Sequence, residues 1–173
     1  MDRQDGFFNA VIGHGLKSRD PFTAKLFSVG AVLFLLLLFP FCVHAADLPV
    51  TSAFGWRYHP ISGEWSFHAG VDLGYAAGTA IPALFDGVVV QAGDYTDGYG
   101  NQVLLYHPLF DGYTRYAHMS EVDVAVDEYV GQGTIIGLVG ATGRVTGPHL
   151  HLEYIIRGAD GNYMYVDPLV LWQ

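Results

Sequence analysis

Lysine is missing from residues 46–173 of this 173-residue chain, where four arginines stand against fourteen acidic residues and give a formal charge of −10. Phosphate backbones and anionic lipid surfaces bind clustered cationic side chains, so neither nucleic acid nor a lipid surface is an expected partner of this region. A nucleotide cofactor is not expected either. Lipoyl and biotinyl carrier domains need an acceptor lysine, and its absence excludes that class.

Cysteine is nearly absent as well, since Cys42 is the only one in the chain. It lies in an apolar segment near the N-terminus, so the rest of the chain can form neither a disulfide nor a Cys-ligated metal site. Any metal ion must therefore be held by histidine and carboxylate. Helical periodicity of useful length is also missing after residue 46, which leaves β-structure as the expected architecture.

Residues 1–45 are typical of a targeting segment, because basic side chains precede an apolar run at residues 26–43 and small residues follow it. This order predicts a secretory signal peptide that is removed after Ala45. The alternative is an uncleaved anchor that tethers the protein to the membrane through residues 26–43, since the run approaches the length of a membrane span. Both interpretations place residues 46–173 outside the cytoplasm, in the periplasm or cell envelope.

Residues 46–173 show a pattern typical of an all-β domain, because glycines at short spacing separate runs rich in Val, Ile, Leu and Tyr. The stretch at residues 97–101 (DGYGN) and the dipeptide at 111–112 are hairpin signals, which favour antiparallel pairing. The strands predicted from these runs are residues 87–92, 102–107, 113–118, 134–139 and 149–157.

Histidines and carboxylates recur at even spacing in two of the extended segments. His68 and Asp72 are four residues apart, and His149, His151 and Glu153 alternate with apolar residues. On an extended chain residues two apart share a face, so each set should lie on one side of a sheet. Two imidazoles and one carboxylate that converge from two strands form a metal site with open coordination positions, as in catalytic zinc sites.

Four further side chains have weaker signals. His118 ends another predicted strand and adds an imidazole to the same region. Arg115 lies three residues earlier, so we expect it on the opposite face in a structural role. Glu153 is expected to be solvated or to lie behind the metal ligands, and His59, in a Tyr-His-Pro turn, to be structural or at the rim.

Five segments, taken in order, resemble the LytM/lysostaphin family of zinc endopeptidases. They are FGWRYHPISG (54–63), HAGVDLG (68–74), GYGNQVLLYH (98–107), YAHMS (116–120) and TGPHLHLE (146–153). The resemblance implies an antiparallel β-sheet groove that acts on the peptide part of bacterial peptidoglycan. It also implies that His68, Asp72 and His151 bind one Zn²⁺, and that His118 and His149 are the catalytic histidines.

Zinc held by two neutral imidazoles and a carboxylate lowers the pKa of its bound water towards about 7. The chain has no His-Glu-x-x-His motif, so the general base must be an imidazole. We expect His149 to be the base and His118 to be an N–H donor that stabilises the oxyanion.

Two alternative functions use the same residues. A non-haem iron oxygenase also binds its metal through two histidines and one carboxylate, but it would leave His118 and His149 without a role. A non-catalytic module that binds peptidoglycan or activates another hydrolase would share the fold, with a loop such as residues 95–101 closing the groove. The bond that is cut and the choice of base stay open at this point.

Overall fold

The structure of the chain is a computed structural model, in which residues 48–58 and 63–173 are described. The predicted targeting segment at residues 1–45, with its apolar run at 26–43, lies outside the described residues, as does His59. Within the described part of the chain, no helix is long and apolar enough to cross a membrane.

The described residues form twelve β-strands and one 3-10 helix, with no α-helix among them. This confirms the all-β prediction, and every strand pair is antiparallel. The strands are β1 (Val50–Ser52), β2 (Gly55–Tyr58), β3 (Trp65–His68), β4 (Val71–Leu73), β5 (Ala80–Pro82), β6 (Gly87–Asp94), β7 (Asn101–His107), β8 (Gly112–Val122), β9 (Tyr129–Val130), β10 (Ile135–Val139), β11 (Leu150–Arg157) and β12 (Tyr163–Val166), followed by the 3-10 helix Pro168–Trp172.

Ten of the strands form one sheet, and β2 and β3 form a separate two-stranded sheet. The main path of the large sheet runs β1-β4-β11-β8-β7-β6-β9, while β10 pairs with β5 and β8 and β12 pairs with β11. The predicted hairpins are present, because β6 joins β7 through residues 95–100 and β7 joins β8 through the turn that ends at Gly112.

Alternation along β11 separates the hydrophobic core from the polar face of the sheet. Leu150 and Leu152 belong to the buried apolar cluster, which also contains Val71 and Leu105. The intervening odd-numbered side chains leave that cluster and face the polar side. The large sheet therefore rests on an apolar core and presents polar side chains from its central strands on the other face.

Three predictions about strand boundaries need correction. His149 does not begin β11 but pairs with Gly140 in an isolated bridge, and β8 continues four residues beyond His118. His68 and Asp72 do not share one extended segment, because β3 ends at His68 and Asp72 lies in β4 of the other sheet. The chain turns between them at residues 69–70, close to β11.

Candidate metal centre and active site

Three strands bring the predicted metal ligands together. His68 is the last residue of β3, Asp72 is the central residue of β4, and His151 lies directly opposite Asp72 in the β4-β11 pair. Gly70 allows the crossover between the two sheets, since a Cβ atom there would lie 2.3 Å from the carbonyl oxygen of Leu152. A larger residue at position 70 would push β4 away from β11, and with it Asp72 away from His151.

Each of the three side chains directs one atom towards a common centre. His68 Nε2 lies 3.1 Å from both Asp72 Oδ1 and His151 Nδ1, and His151 Nδ1 lies 2.8 Å from Asp72 Oδ1. The two imidazoles are buried and the carboxylate is partly buried. They form a His-Asp-His cluster with the geometry of a metal site.

Hydrogen bonds on the outer side of each imidazole fix which nitrogen carries the proton. His68 Nδ1 lies 2.8 Å from the carbonyl oxygen of Ala53, and His151 Nε2 lies 3.2 Å from Glu153 Oε1. Carbonyl and carboxylate oxygens only accept, so both outer nitrogens are N–H donors. The inner nitrogens of the neutral imidazoles then carry lone pairs that converge with Asp72 Oδ1. Three acceptors facing one point suit a cation, and this donor set of two nitrogens and one oxygen fits Zn²⁺.

The carboxylates around His151 set the charge of the site. Burial alone would raise the pKa of Asp72, but its contacts with His151 and His68 outweigh burial and hold that pKa well below its usual range. Burial alone would lower the pKa of His151, but the contacts with Asp72 and Glu153 raise it above the ordinary value. When no metal is bound, a proton on His151 Nδ1 can therefore take the place of the cation.

His149 and His118 lie beside the ligand cluster, as predicted. Their rings are 4.9 Å apart, and His149 Nε2 is 3.6 Å from Asp72 Oδ1. His149 Nδ1 donates to the carbonyl oxygen of Gly147 at 2.9 Å, and His118 Nδ1 donates to that of Thr142 at 3.0 Å. In the neutral state both histidines direct a bare Nε2 away from these carbonyls.

His118 has a strained backbone and a low basicity. Its φ of 63° lies in the left-handed region, and it is held there by bonds from its N–H to Tyr99 O at 2.9 Å and from Thr142 N–H to its own carbonyl at 3.4 Å. Burial, followed by the nearby His151 and His149, lowers its pKa to about 4. His118 is therefore neutral at pH 7.

The same backbone twist overturns the predicted orientation of Arg115. Arg115 pairs directly with Glu153 across β8 and β11, and its Nε lies 2.9 Å from Glu153 Oε2, so it is on the face that carries His151. The β7-β8 register also shifts between Asn101 and Val103. Strict alternation fails between Arg115 and His118, and both side chains reach the polar face.

Glu153 lies behind His151 and is completely buried, so the solvated alternative for it is wrong. Its Oε1 accepts from the hydroxyl of Tyr99 at 2.6 Å as well as from His151. Arg115 stacks over the Tyr99 ring at 4.4 Å and contacts the side-chain oxygen of Gln102. These residues form a buried polar network behind His151, of which the sequence signalled only Glu153, by its alternation with His151.

The cluster opens into a cleft of about 580 Å³. The β2-β3 hairpin contributes Arg57, Tyr58 and Phe67 to its lining, while the β6-β7 turn and the loop before β11 contribute Tyr99 and Arg144. The position of the two arginines in this cleft is not predicted by the sequence.

Comparison with known proteins places these features in one family. Residues 66–168, more than half of the chain, match the family described as Peptidase family M23. The DD-carboxypeptidase/endopeptidase Mpg of Neisseria meningitidis serogroup B is 44% identical over 114 residues, which are 65% of this chain and 26% of the relative. The chain thus spans about a quarter of the length of the curated relatives that it matches.

Two solved structures have the same architecture. The catalytic domain of the antimicrobial peptidase lysostaphin from Staphylococcus simulans is 31% identical with a TM-score of 0.64, over 74% of this chain and 94% of that chain. A zinc-containing peptidase from Vibrio cholerae is 33% identical with a TM-score of 0.58, over 67% of this chain and 35% of that chain.

Proposed function

Because the chain belongs to peptidase family M23, we propose that it is an exported, zinc-dependent endopeptidase that hydrolyses peptide bonds in the stem or cross-bridge of bacterial peptidoglycan. The observation that carries this proposal is the convergence of three acceptor atoms from His68, Asp72 and His151 on one point at the base of an open cleft. The names of the relatives, which include a DD-endopeptidase and lysostaphin, agree with this substrate class.

His68, Asp72 and His151 would hold the zinc ion. When bound, the ion polarises the scissile carbonyl group and lowers the pKa of a bound water molecule. The ionised Asp72 compensates part of the charge of the ion, and the outer hydrogen bonds of the two imidazoles keep their lone pairs directed inward. The three ligands are thus arranged before the ion binds.

His149 would accept the proton of the attacking water molecule. Its Nδ1–H is engaged by the carbonyl oxygen of Gly147, so Nε2 is free to act as the base and already faces the ligand cluster. Once protonated, the same nitrogen can return the proton to the leaving amine, which balances the proton count of amide hydrolysis.

For His118 we propose a different role from the oxyanion stabilisation expected from the sequence. An oxyanion stabiliser must donate an N–H, but the Nδ1–H of His118 is bonded to Thr142 O, and a pKa of about 4 keeps its Nε2 unprotonated. His118 Nε2 can therefore only accept a hydrogen bond. We assign it the task of orienting the attacking water molecule towards the scissile carbonyl group.

The N-terminal pattern and the proposed substrate both support export. We propose that residues 1–45 act as a signal peptide and that residues 46–173 are the metallopeptidase domain, because peptidoglycan lies outside the cytoplasmic membrane. Cell fractionation followed by N-terminal sequencing of the exported protein tests this step, and a protein that stays in the cytoplasm contradicts it.

Incubation of the zinc-loaded chain with purified peptidoglycan tests the activity. Mass spectrometry should find released peptide fragments, and a chelator should abolish their release, while added zinc should restore it. Binding of peptidoglycan without any cleavage by the zinc-loaded protein would refute the enzyme and support a non-catalytic module instead.

A further inference from the structure

The described residues contain four arginines, and these fall into two groups. Arg115 contacts the buried Glu153, and Arg157 contacts Asp111 at 2.9 Å, so both have acidic partners away from the cleft. Arg57 and Arg144 line the cleft beside the ligand cluster. Residues 46–173 have a formal charge of −10 and no lysine, so two of their four positive charges are concentrated in this cleft.

Arg57 lies in the cleft wall with unused hydrogen-bonding capacity. It pairs with Ser66 in the β2-β3 hairpin, two residues from the end that carries His68. Its Nη2 is 3.8 Å from Asp72 Oδ2, which is too long for a hydrogen bond, and its Nε is buried without a hydrogen-bond partner. A buried donor of this kind is costly unless a ligand satisfies it.

Arg144 is anchored by its backbone and its aliphatic stem. Its N–H donates to Gly98 O at 2.9 Å, and its Cδ would lie 3.6 Å from a Cβ atom at Gly98, so the stem packs on the β6-β7 turn. Among residues 48–58 and 63–173 no hydrogen bond or ion pair of its guanidinium group is found. The side chain therefore presents a free positive charge at the cleft.

The acidic residues of the cleft offset the charge of these arginines only in part, since Asp72 is at ion-pair distance from Arg57 and no carboxylate pairs with Arg144 among the described residues. Asp72 belongs to the metal site. Asp97 accepts from Gln102 Nε2 at 2.8 Å and from Tyr99 N–H at 3.1 Å, and it lies 3.9 Å from Arg115. Both lining carboxylates are thus engaged, and the cleft can accept a further anionic group.

We propose that Arg57 and Arg144 bind a free carboxylate of the substrate, on an amino acid that flanks the scissile bond. The inference rests on the proposed function and deepens it, because it selects an anionic stem peptide over a neutral glycine bridge as the substrate class. Guanidinium groups suit this role, since two parallel N–H donors match the geometry of a carboxylate. The distance from Arg57 to Asp72 places that carboxylate within about one residue of the reacting bond.

The experiment uses zinc-loaded full-length protein and two synthetic cross-linked stem peptides. They are identical except that the amino acid next to the scissile bond carries either a free carboxylate or a primary carboxamide. The ratio of their kcat/KM values should favour the carboxylate by about tenfold or more, as expected for a charge-assisted hydrogen bond that only one peptide can form. A pentaglycine peptide should be cleaved more slowly than the carboxylate peptide.

Substitutions then locate the effect. Arg144→Gln should bring the ratio close to one, and Arg144→Lys should retain part of it, because an ammonium group keeps the charge but not the paired donors. Arg57→Lys should also lower the ratio, with zinc content measured because Arg57 lies near Asp72. Arg157→Gln removes the same charge far from the cleft, where Arg157 contacts Asp111, and should leave the ratio unchanged.

Equal kcat/KM values for the two peptides in the wild-type protein would overturn the inference and leave the proposed function intact. So would a ratio that falls as much in Arg157→Gln as in Arg144→Gln, or faster cleavage of pentaglycine. If the zinc-loaded protein cleaves neither these peptides nor whole peptidoglycan, the proposed function is wrong and the inference falls with it.

Discussion

Replacing Glu153 by glutamine should weaken zinc binding although Glu153 cannot touch the ion. The fully buried carboxylate accepts from His151 Nε2 at 3.2 Å and from the Tyr99 hydroxyl at 2.6 Å, and it lies 2.9 Å from Arg115 Nε. Burial would raise its pKa, but contact with His151, followed by Tyr99 and Arg115, lowers it, so the group is ionised. Glu153→Gln preserves the shape and removes the charge that orients His151.

The size of the effect follows from the position of Glu153 behind a metal ligand. Loss of such a partner weakens metal affinity by about 10- to 100-fold, which corresponds to about 1.4–2.7 kcal/mol. Arg115 would also face an amide in place of a carboxylate, and removal of one member of a buried ion pair costs about 3–5 kcal/mol of folding free energy. Glu153→Gln should therefore lower both the zinc affinity and the thermal midpoint of the metal-free protein.

Competition with a chromophoric chelator at pH 8 measures the affinity, and circular dichroism confirms that the variant is folded. Glu121→Gln makes the same chemical change at an exposed position of β8 and should bind zinc as the wild type does. A folded Glu153→Gln protein with wild-type zinc affinity would refute the role assigned to this carboxylate.

The pH dependence of the same measurement is a stricter test. Glu153 helps to raise the pKa of His151, so a proton competes with zinc for His151 at a higher pH than for an ordinary histidine. Below that pKa the wild-type affinity should fall by about tenfold per pH unit. Without the carboxylate the pKa of His151 falls and proton competition begins later. The affinity gap between the two proteins should narrow from pH 8 to pH 6, and a gap that widens would contradict this electrostatic account.

Three further predictions concern the histidines. His151→Ala should lose zinc on dialysis against a weak chelator, and a retained equivalent, measured by elemental analysis, would remove His151 from the ligand set. His149→Ala and His118→Ala should keep zinc but hydrolyse peptidoglycan at least about 10²-fold more slowly, a loss that initial rates of fragment release will measure. Burial lowers the pKa of His107, so below about pH 6.5 the unfolded state binds more protons than the folded state. As the pH is lowered, the unfolding free energy should therefore fall by up to about 1.4 kcal/mol per pH unit. In His107→Gln it should fall less steeply. Urea titrations at pH 7 and pH 5.5 in the presence of chelator will show it, and identical pH dependence in both proteins would contradict it.

The sequence predicted most of the fold, and its local motifs singled out the three residues that the structure brings together, His68, Asp72 and His151, whose binding of zinc stays a prediction. Alternation in β11 correctly separated Leu150 and Leu152 from His151, since that strand is regular. The ligand cluster also forms as expected, although His68 and Asp72 reach it from two sheets rather than from one strand.

The failures share a physical cause, which is departure from regular strand geometry or contact between distant segments. The left-handed backbone of His118 broke the parity argument for Arg115, because a positive φ outside glycine is uncommon and strand periodicity does not signal it. Tyr99 and Arg144 meet the site only because the β6-β7 turn folds against the loop before β11. Contacts of this kind depend on tertiary packing and produce no periodic pattern of residue types in the sequence.

Because the predicted ligands come from two sheets, a bound zinc ion would also connect these sheets structurally. His68 is supplied by the small β2-β3 sheet, whereas Asp72 and His151 belong to the ten-stranded sheet. No backbone ladder joins the two sheets among the described residues, so the ion would be a cross-link between them. Part of the zinc-binding free energy would then come from docking of the hairpin against the large sheet, and removal of the ion would loosen the hairpin that carries Arg57.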